Sequence, residues 1–122
     1  MVHVRAKDAV GQYGERVAVR RLTEAGMTVL DRNWRCRSGE IDVVARDGDC
    51  LVVCEVKTRR SVSAGTALEA VTPQKLARLR RLTGEWLAAH PGVNPPRVRL
   101  DVVAVTVPDR GPATVQHVAG VS

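Results

Sequence analysis

The sequence predicts an α/β fold, a mixed sheet of about five strands flanked by helices. Three observations predict it. Two segments carry apolar residues at helical spacing, five others carry the alternating or continuous β-branched pattern of strands, and the order along the chain is α, β, β, β, α, β, β. A chain of 122 residues, 44% of them hydrophobic, is long enough to bury one core and too short for two, so residues 1–122 are expected to form a single domain.

Residues 8 to about 25 place Val10, Tyr13, Val17, Ala18, Leu22 and Ala25 on one helical stripe, with Gly26 as a stop. Gly11 and Gly14 fall within that stripe, where each costs about 1 kcal/mol of helix propensity and is tolerated if another element must approach the backbone closely. Met27 to Trp34 reads as a first strand, and Arg35-Cys36-Arg37-Ser38-Gly39 as a basic connection. Glu40 to Arg46 and Cys50 to Lys57 are β-branched runs around Asp47-Gly48-Asp49, the signature of a β-hairpin. Thr58 to Gly65 reads as a mobile basic loop containing Arg59 and Arg60. Thr72-Pro73 supplies an N-cap and a first-turn proline for a second helix to about Ala89, with Leu76, Leu79, Leu82, Thr83, Trp86 and Leu87 as its stripe. Pro91-Gly92 ends it. Arg97 to Val107 is a strongly β-prone run, and Val115 to Val118 adds a short edge strand.

Composition narrows the function. Nineteen Lys and Arg oppose 13 Asp and Glu for a net charge of +6, and with only Lys7, Lys57 and Lys75 as lysines, 16 of the cations are arginine. The planar guanidinium fork pairs with phosphate in two-pronged fashion, which favours a polyanionic partner. With Tyr13, Trp34 and Trp86 as the only aromatics, recognition by stacking on single-stranded bases fits poorly and backbone recognition fits better. No apolar run follows the basic residues at the start and none approaches about 20 residues, so a cytoplasmic protein with no membrane association is expected. Cys36, Cys50 and Cys54 form neither an even disulfide set nor a paired zinc pattern.

The hairpin carries the chemistry. Side chains alternate along strands, so Glu40, Asp42 and Val44 are expected to share one face, as are Leu51, Val53, Glu55 and Lys57 on the next strand. With a two-residue connection Asp47-Gly48, position 42 faces 53 and 40 faces 55; with the four residues 47 to 50, 42 faces 55 and 40 faces 57. Either register predicts the charged side chains on one face, backed by the apolar Ile41, Val43, Ala45, Val52, Cys54 and Val56. Carboxylates about 5 to 8 Å apart on a covered sheet repel unless a cation offsets them. Lys57 is one charge against Glu40, Asp42 and Glu55, and a hard divalent ion such as Mg2+ or Mn2+ would supply the balance.

The run Gly39-Glu40-Ile41-Asp42-Val43-Val44-Ala45, the spaced Glu55-Val56-Lys57 and Glu15 in the first helix resemble the YraN-like family of small bacterial proteins. The similarity extends through Asn33-Trp34-Arg35, Thr58-Arg59-Arg60, Glu69-Ala70-Val71-Thr72-Pro73 and Asp101 to Val105. It implies a restriction-endonuclease-like core, the PD-(D/E)xK nuclease fold shared with archaeal Holliday junction resolvases. Ile41 stands where that pattern's name has proline. By this resemblance Asp42 and Glu55 hold the metal, Lys57 orients or activates the attacking water, and Glu15 completes the catalytic site.

The sequence therefore points to a divalent-metal-dependent endonuclease acting on DNA, with branched DNA among the substrates. Arg35, Arg37, Arg59, Arg60, Arg78 and Arg81 are the expected phosphate contacts. A non-catalytic nucleic-acid- or protein-binding module on the same scaffold is the alternative, and a homodimer is left open. Asp101 in a valine-rich strand is explained as well by pairing with Arg97, Arg99 or another arginine as by catalysis. Gln74 reads as an ordinary first-turn helix residue. His3, His90 and His117 are scattered without acidic or cysteine neighbours, and Cys54 reads as core.

Overall fold

The computed structural model describes residues 8–60 and 71–121. The chain runs α1 (Ala9–Glu24), β1 (Thr28–Cys36), β2 (Gly39–Asp47), β3 (Cys50–Arg59), α2 (Pro73–Ala89), β4 (Arg97–Thr106) and β5 (Thr114–Val118). Both helices begin where their caps dictate. Asp8 Oδ1 accepts the Gly11 N–H at 2.7 Å and Thr72 Oγ1 accepts the Lys75 N–H at 3.2 Å, each satisfying a donor that helical geometry leaves open.

One five-stranded sheet has the order β1-β2-β3-β4-β5, with β3 and β4 parallel and every other neighbouring pair antiparallel. The parallel pair requires a crossover, which is α2; it packs on one face of the sheet while α1 covers the other. Ala18 and Leu22 of α1 pack with Val43, Ala45, Val52, Cys54, Val103 and Val105. Leu79, Leu82 and Trp86 of α2 pack with Ile41, Val44, Leu51, Val53 and Leu100. Strands covered on both faces read as continuous apolar runs, which is why β3 and β4 are so rich in valine.

The hairpin register is Val43↔Cys54 through Asp47↔Cys50, so the turn is Gly48-Asp49 and positions 42 and 55 are in line. Gly48 takes φ +60° at the first turn position, a conformation nearly free of cost only for glycine. Two strands are longer than expected. β1 continues through Arg35 and Cys36, because these pair with Glu40 and Gly39, leaving Arg37-Ser38 as the turn. β3 continues through Thr58 and Arg59, which pair with Val105 and Thr106. The rest of the expected basic loop from Ser61 onward, Glu69-Ala70 and His3 lie outside the described residues. Among the described residues no helix is long and apolar enough to cross a membrane.

Asp101 is fully buried and structural in its surroundings. Its carboxylate accepts Arg99 Nε at 2.8 Å, Arg99 Nη2 at 3.0 Å and the Gly120 N–H at 3.0 Å, and His117 Nε2 lies 2.7 Å from it. The partner is thus Arg99, whereas Arg97 pairs with Asp49.

At Gly14 the backbone of α1 lies directly against β3. A Cβ there would overlap the Oγ1, Cγ2 and Cβ atoms of Thr58 in β3. Gly14→Ala is therefore expected to destabilise the protein by roughly 1–3 kcal/mol, even though alanine gains about 1 kcal/mol of helix propensity. Urea unfolding checks this; a stabilised variant would show that α1 is free to shift away from β3.

Candidate functional site

The site grows out of a break in strand alternation. Residues 41 and 43 of a regular strand face the same way, yet Ile41 packs under α2 and Val43 under α1. The change of side falls at Asp42, where the β2–β3 ladder also stops, since Val43↔Cys54 is its last pair. The next β3 donor, Val56 N–H, goes to Asp42 Oδ2 at 2.8 Å. Asp42 is thereby anchored on the peptide group that joins Glu55 to Val56. Across from it in β1, Asn33 adopts φ 52°, a left-handed conformation that asparagine tolerates better than most residues.

This break overturns the expectation that the hairpin's charges share one face. One carboxylate oxygen from each of Glu15, Glu40 and Asp42 lies within 4.8 Å of the others, with Glu15 contributed by α1. Glu55 and Lys57 instead line a pocket with Val71, Leu76 and Lys75 of the α2 side. Ile41 likewise leaves the expected apolar back and joins the opposite layer. Alternation was the right rule locally; two helices competing for the two faces of β2 force the exception.

Each member of the acidic group is positioned by a different element. Glu15 is buried on α1, one residue beyond the tight contact of Gly14 with Thr58. Glu40 is held by Arg35, whose Nε donates to Oε2 at 2.8 Å across the β1–β2 pair. The Oε1 atoms of Glu15 and Glu40 are both sealed from solvent. The negative potential extends inward. Burial above all pushes the Cys54 thiol up, and the carboxylates of Asp101, Asp42 and Glu55 push it further.

Oxygens that share one hard divalent ion lie about 2.0–2.6 Å from it and hence within about 5 Å of each other. The donor set of Glu15, Glu40 and Asp42 meets that spacing with oxygen ligands alone, the preference of Mg2+ and Mn2+. Glu40 is the member that sequence reasoning did not single out, although it stands two residues before Asp42 in the same motif.

On the α2 side a second residue went unnoticed. Lys75, in the first turn of α2, meets Lys57 of β3 across the pocket, and the Lys57 charge in particular holds the Lys75 ammonium below its ordinary range while Glu55 opposes that effect. The expected phosphate contacts vary in availability. Arg37, Arg60, Arg78 and Arg81 are exposed and Arg59 is half-buried. Arg35 is exposed too, but its Nε is engaged by Glu40. Gln74 is exposed at the start of α2, and His90 stacks on Trp86 with ring centroids 4.0 Å apart, a packing role.

By sequence the chain is similar to UPF0102 proteins. The chain is 99% identical over 122 residues to a UPF0102 protein of Kineococcus radiotolerans, covering all of both chains. It is 58% identical over 118 residues to a UPF0102 protein of Streptomyces coelicolor, covering 96% of this chain and 91% of that one. Among solved structures it is similar to a repair endonuclease from Pyrococcus abyssi with TM-score 0.47 and 18% identity, covering 88% of this chain and 42% of that chain. Residues 14–105, which include both halves of the hairpin and all of α2, match the family described as uncharacterised protein family UPF0102, and the chain belongs to that family.

Proposed function

We propose that the protein is a divalent-metal-dependent endonuclease that hydrolyses phosphodiester bonds in DNA, branched DNA included. The observation that carries this reading is the meeting of Glu15, Glu40 and Asp42 at the place where β2 and β3 part, with Glu55 and Lys57 on the adjoining strand. Asp42 links the two groupings. It lies beside Glu15 and Glu40 and accepts a hydrogen bond from the peptide that follows Glu55. Asp42, with Glu15 of α1 and Glu40 beside it, would hold the ion, and Glu55 would reach it from the α2 side at the fork where Asp42 accepts the Val56 N–H. A bound Mg2+ or Mn2+ would polarise the phosphate and lower the pKa of a water molecule.

The remaining work belongs to the chain's own side chains. Lys57 places an ammonium where charge develops on the phosphate, an interaction strongest in the transition state. Exposed arginines such as Arg60, Arg78 and Arg81 grip flanking phosphates equally in the ground state. Substitution separates these roles. Lys57→Ala is expected to abolish single-turnover cleavage of linear, nicked, flapped or four-way substrates in Mg2+ or Mn2+ while leaving affinity in Ca2+ nearly intact. Arg59→Ala with Arg60→Ala is expected to do the reverse, weakening binding with a smaller effect at saturating DNA. Equal tight binding by wild type and Lys57→Ala, with no cleavage of any substrate by either, would replace the nuclease with a binding module.

A further inference from the structure

The acidic group beneath α1 has a cationic counterpart on the α2 side of the fork where β2 and β3 part. Lys57 points from β3 and Lys75 from the first turn of α2 into one pocket, floored by Leu76, Leu79 and Val102. Lys57 and Lys75 line the same pocket, the Lys57 charge is the largest influence on the Lys75 ammonium, and Glu55 is the carboxylate on the pocket wall. Among the described lining residues one negative charge faces two positive ones, and neighbouring like charges favour an anion between them. The fold fixes the backbone from which Lys75 extends. Thr72 caps the Lys75 backbone N–H, and Leu76 and Leu79 anchor the same turn in the core. Arg78, one turn further along α2, is close enough to add its positive field at Lys75, so the cations continue from the pocket along an exposed helix.

We propose that Lys75 is a second catalytic cation, which together with Lys57 holds a phosphate oxygen of the bound strand, the strand then following α2 past Arg78. This deepens the endonuclease reading and rests on it for the chemical step, whereas the phosphate contact itself does not require cleavage. Among the described residues the lining apart from Lys57, Lys75 and Glu55 is apolar, so recognition there depends on charge and suits a backbone phosphate of any sequence.

The chain has three lysines, Lys7, Lys57 and Lys75, so NMR of protein labelled at the lysine ε-carbon gives a spectrum simple enough to assign with Lys57→Met and Lys75→Met. A short DNA duplex added in Ca2+ is expected to shift the Lys57 and Lys75 signals together, with one dissociation constant. Lys75→Met should lower the single-turnover rate in Mg2+ at least about tenfold, and Lys75→Arg should recover most of it by keeping the charge. Both variants leave the helix cap intact, because Thr72 bonds the backbone of residue 75. A Lys75 signal that stays still at saturating duplex, or a Lys75→Met enzyme that cleaves like wild type, overturns the inference. If wild type cleaves nothing, yet both signals move together, the phosphate contact stands and the endonuclease reading fails.

Discussion

Asp42→Asn is expected to weaken Mn2+ binding at least about tenfold, or 1.4 kcal/mol, and to lower cleavage by several kcal/mol of transition-state stabilisation, on the order of a thousandfold. The substitution is chosen because it separates charge from shape. The asparagine carbonyl oxygen can still accept the Val56 N–H that Asp42 Oδ2 accepts at 2.8 Å, so the fork between β2 and β3 should persist. What is lost is one of three carboxylates whose oxygens lie within 4.8 Å of one another. In metal-free protein that loss relieves repulsion, so the variant should be as stable as wild type or more so when metal is absent. Calorimetric titration with Mn2+ beside urea unfolding in a chelator tests both halves. Equal Mn2+ affinity in the two proteins would show that Asp42 is no ligand, whatever the activity.

The second large effect concerns stability. Asp101→Ala is expected to cost about 3 kcal/mol, because it strands the Arg99 guanidinium and the Gly120 N–H that the fully buried carboxylate accepts. For a domain of this size that corresponds to a fall in Tm of roughly 10 °C. The pH dependence carries a sign. Burial by itself would raise the Asp101 carboxyl, but the hydrogen bonds from Arg99, Gly120 and His117 outweigh it and hold the group below its ordinary value of 3.8. The folded protein then binds fewer protons than the unfolded chain across that interval. Its Asp101 contribution is complete above the unfolded pKa and is lost as pH falls through the folded one. Urea midpoints measured from pH 7 down to pH 3 should therefore drop more steeply for wild type than for Asp101→Asn. Parallel profiles would mean that the network does not stabilise the charged form.

Much of this protein is legible in its sequence because much of it is decided over a few residues. Asp8 and Thr72 cap helices through their own nearby N–H groups, Pro73 suits a first turn, and Gly48 supplies the left-handed turn position of the hairpin. The stripe Leu79, Leu82, Thr83 and Trp86 is buried as its spacing requires. Gly14, odd for a helix interior, is the residue that lets α1 touch Thr58. The hairpin register was narrowed by the sequence to two choices, and the structure takes the one that puts positions 42 and 55 in line.

By itself, then, the sequence determined the elements, their order, the sheet they make and the motif that carries the charges. Only the tertiary structure decided which charges meet. Ile41 is claimed by the α2 layer and Val43 by the α1 layer, so β2 must break its alternation at Asp42. Glu40 and Asp42 then gather with Glu15, while Glu55 and Lys57 turn to Lys75. Alternation is a property of one strand. The face a given side chain occupies depends on two helices separated from it along the chain, each of which must bury its own apolar stripe, and no window of local sequence contains both.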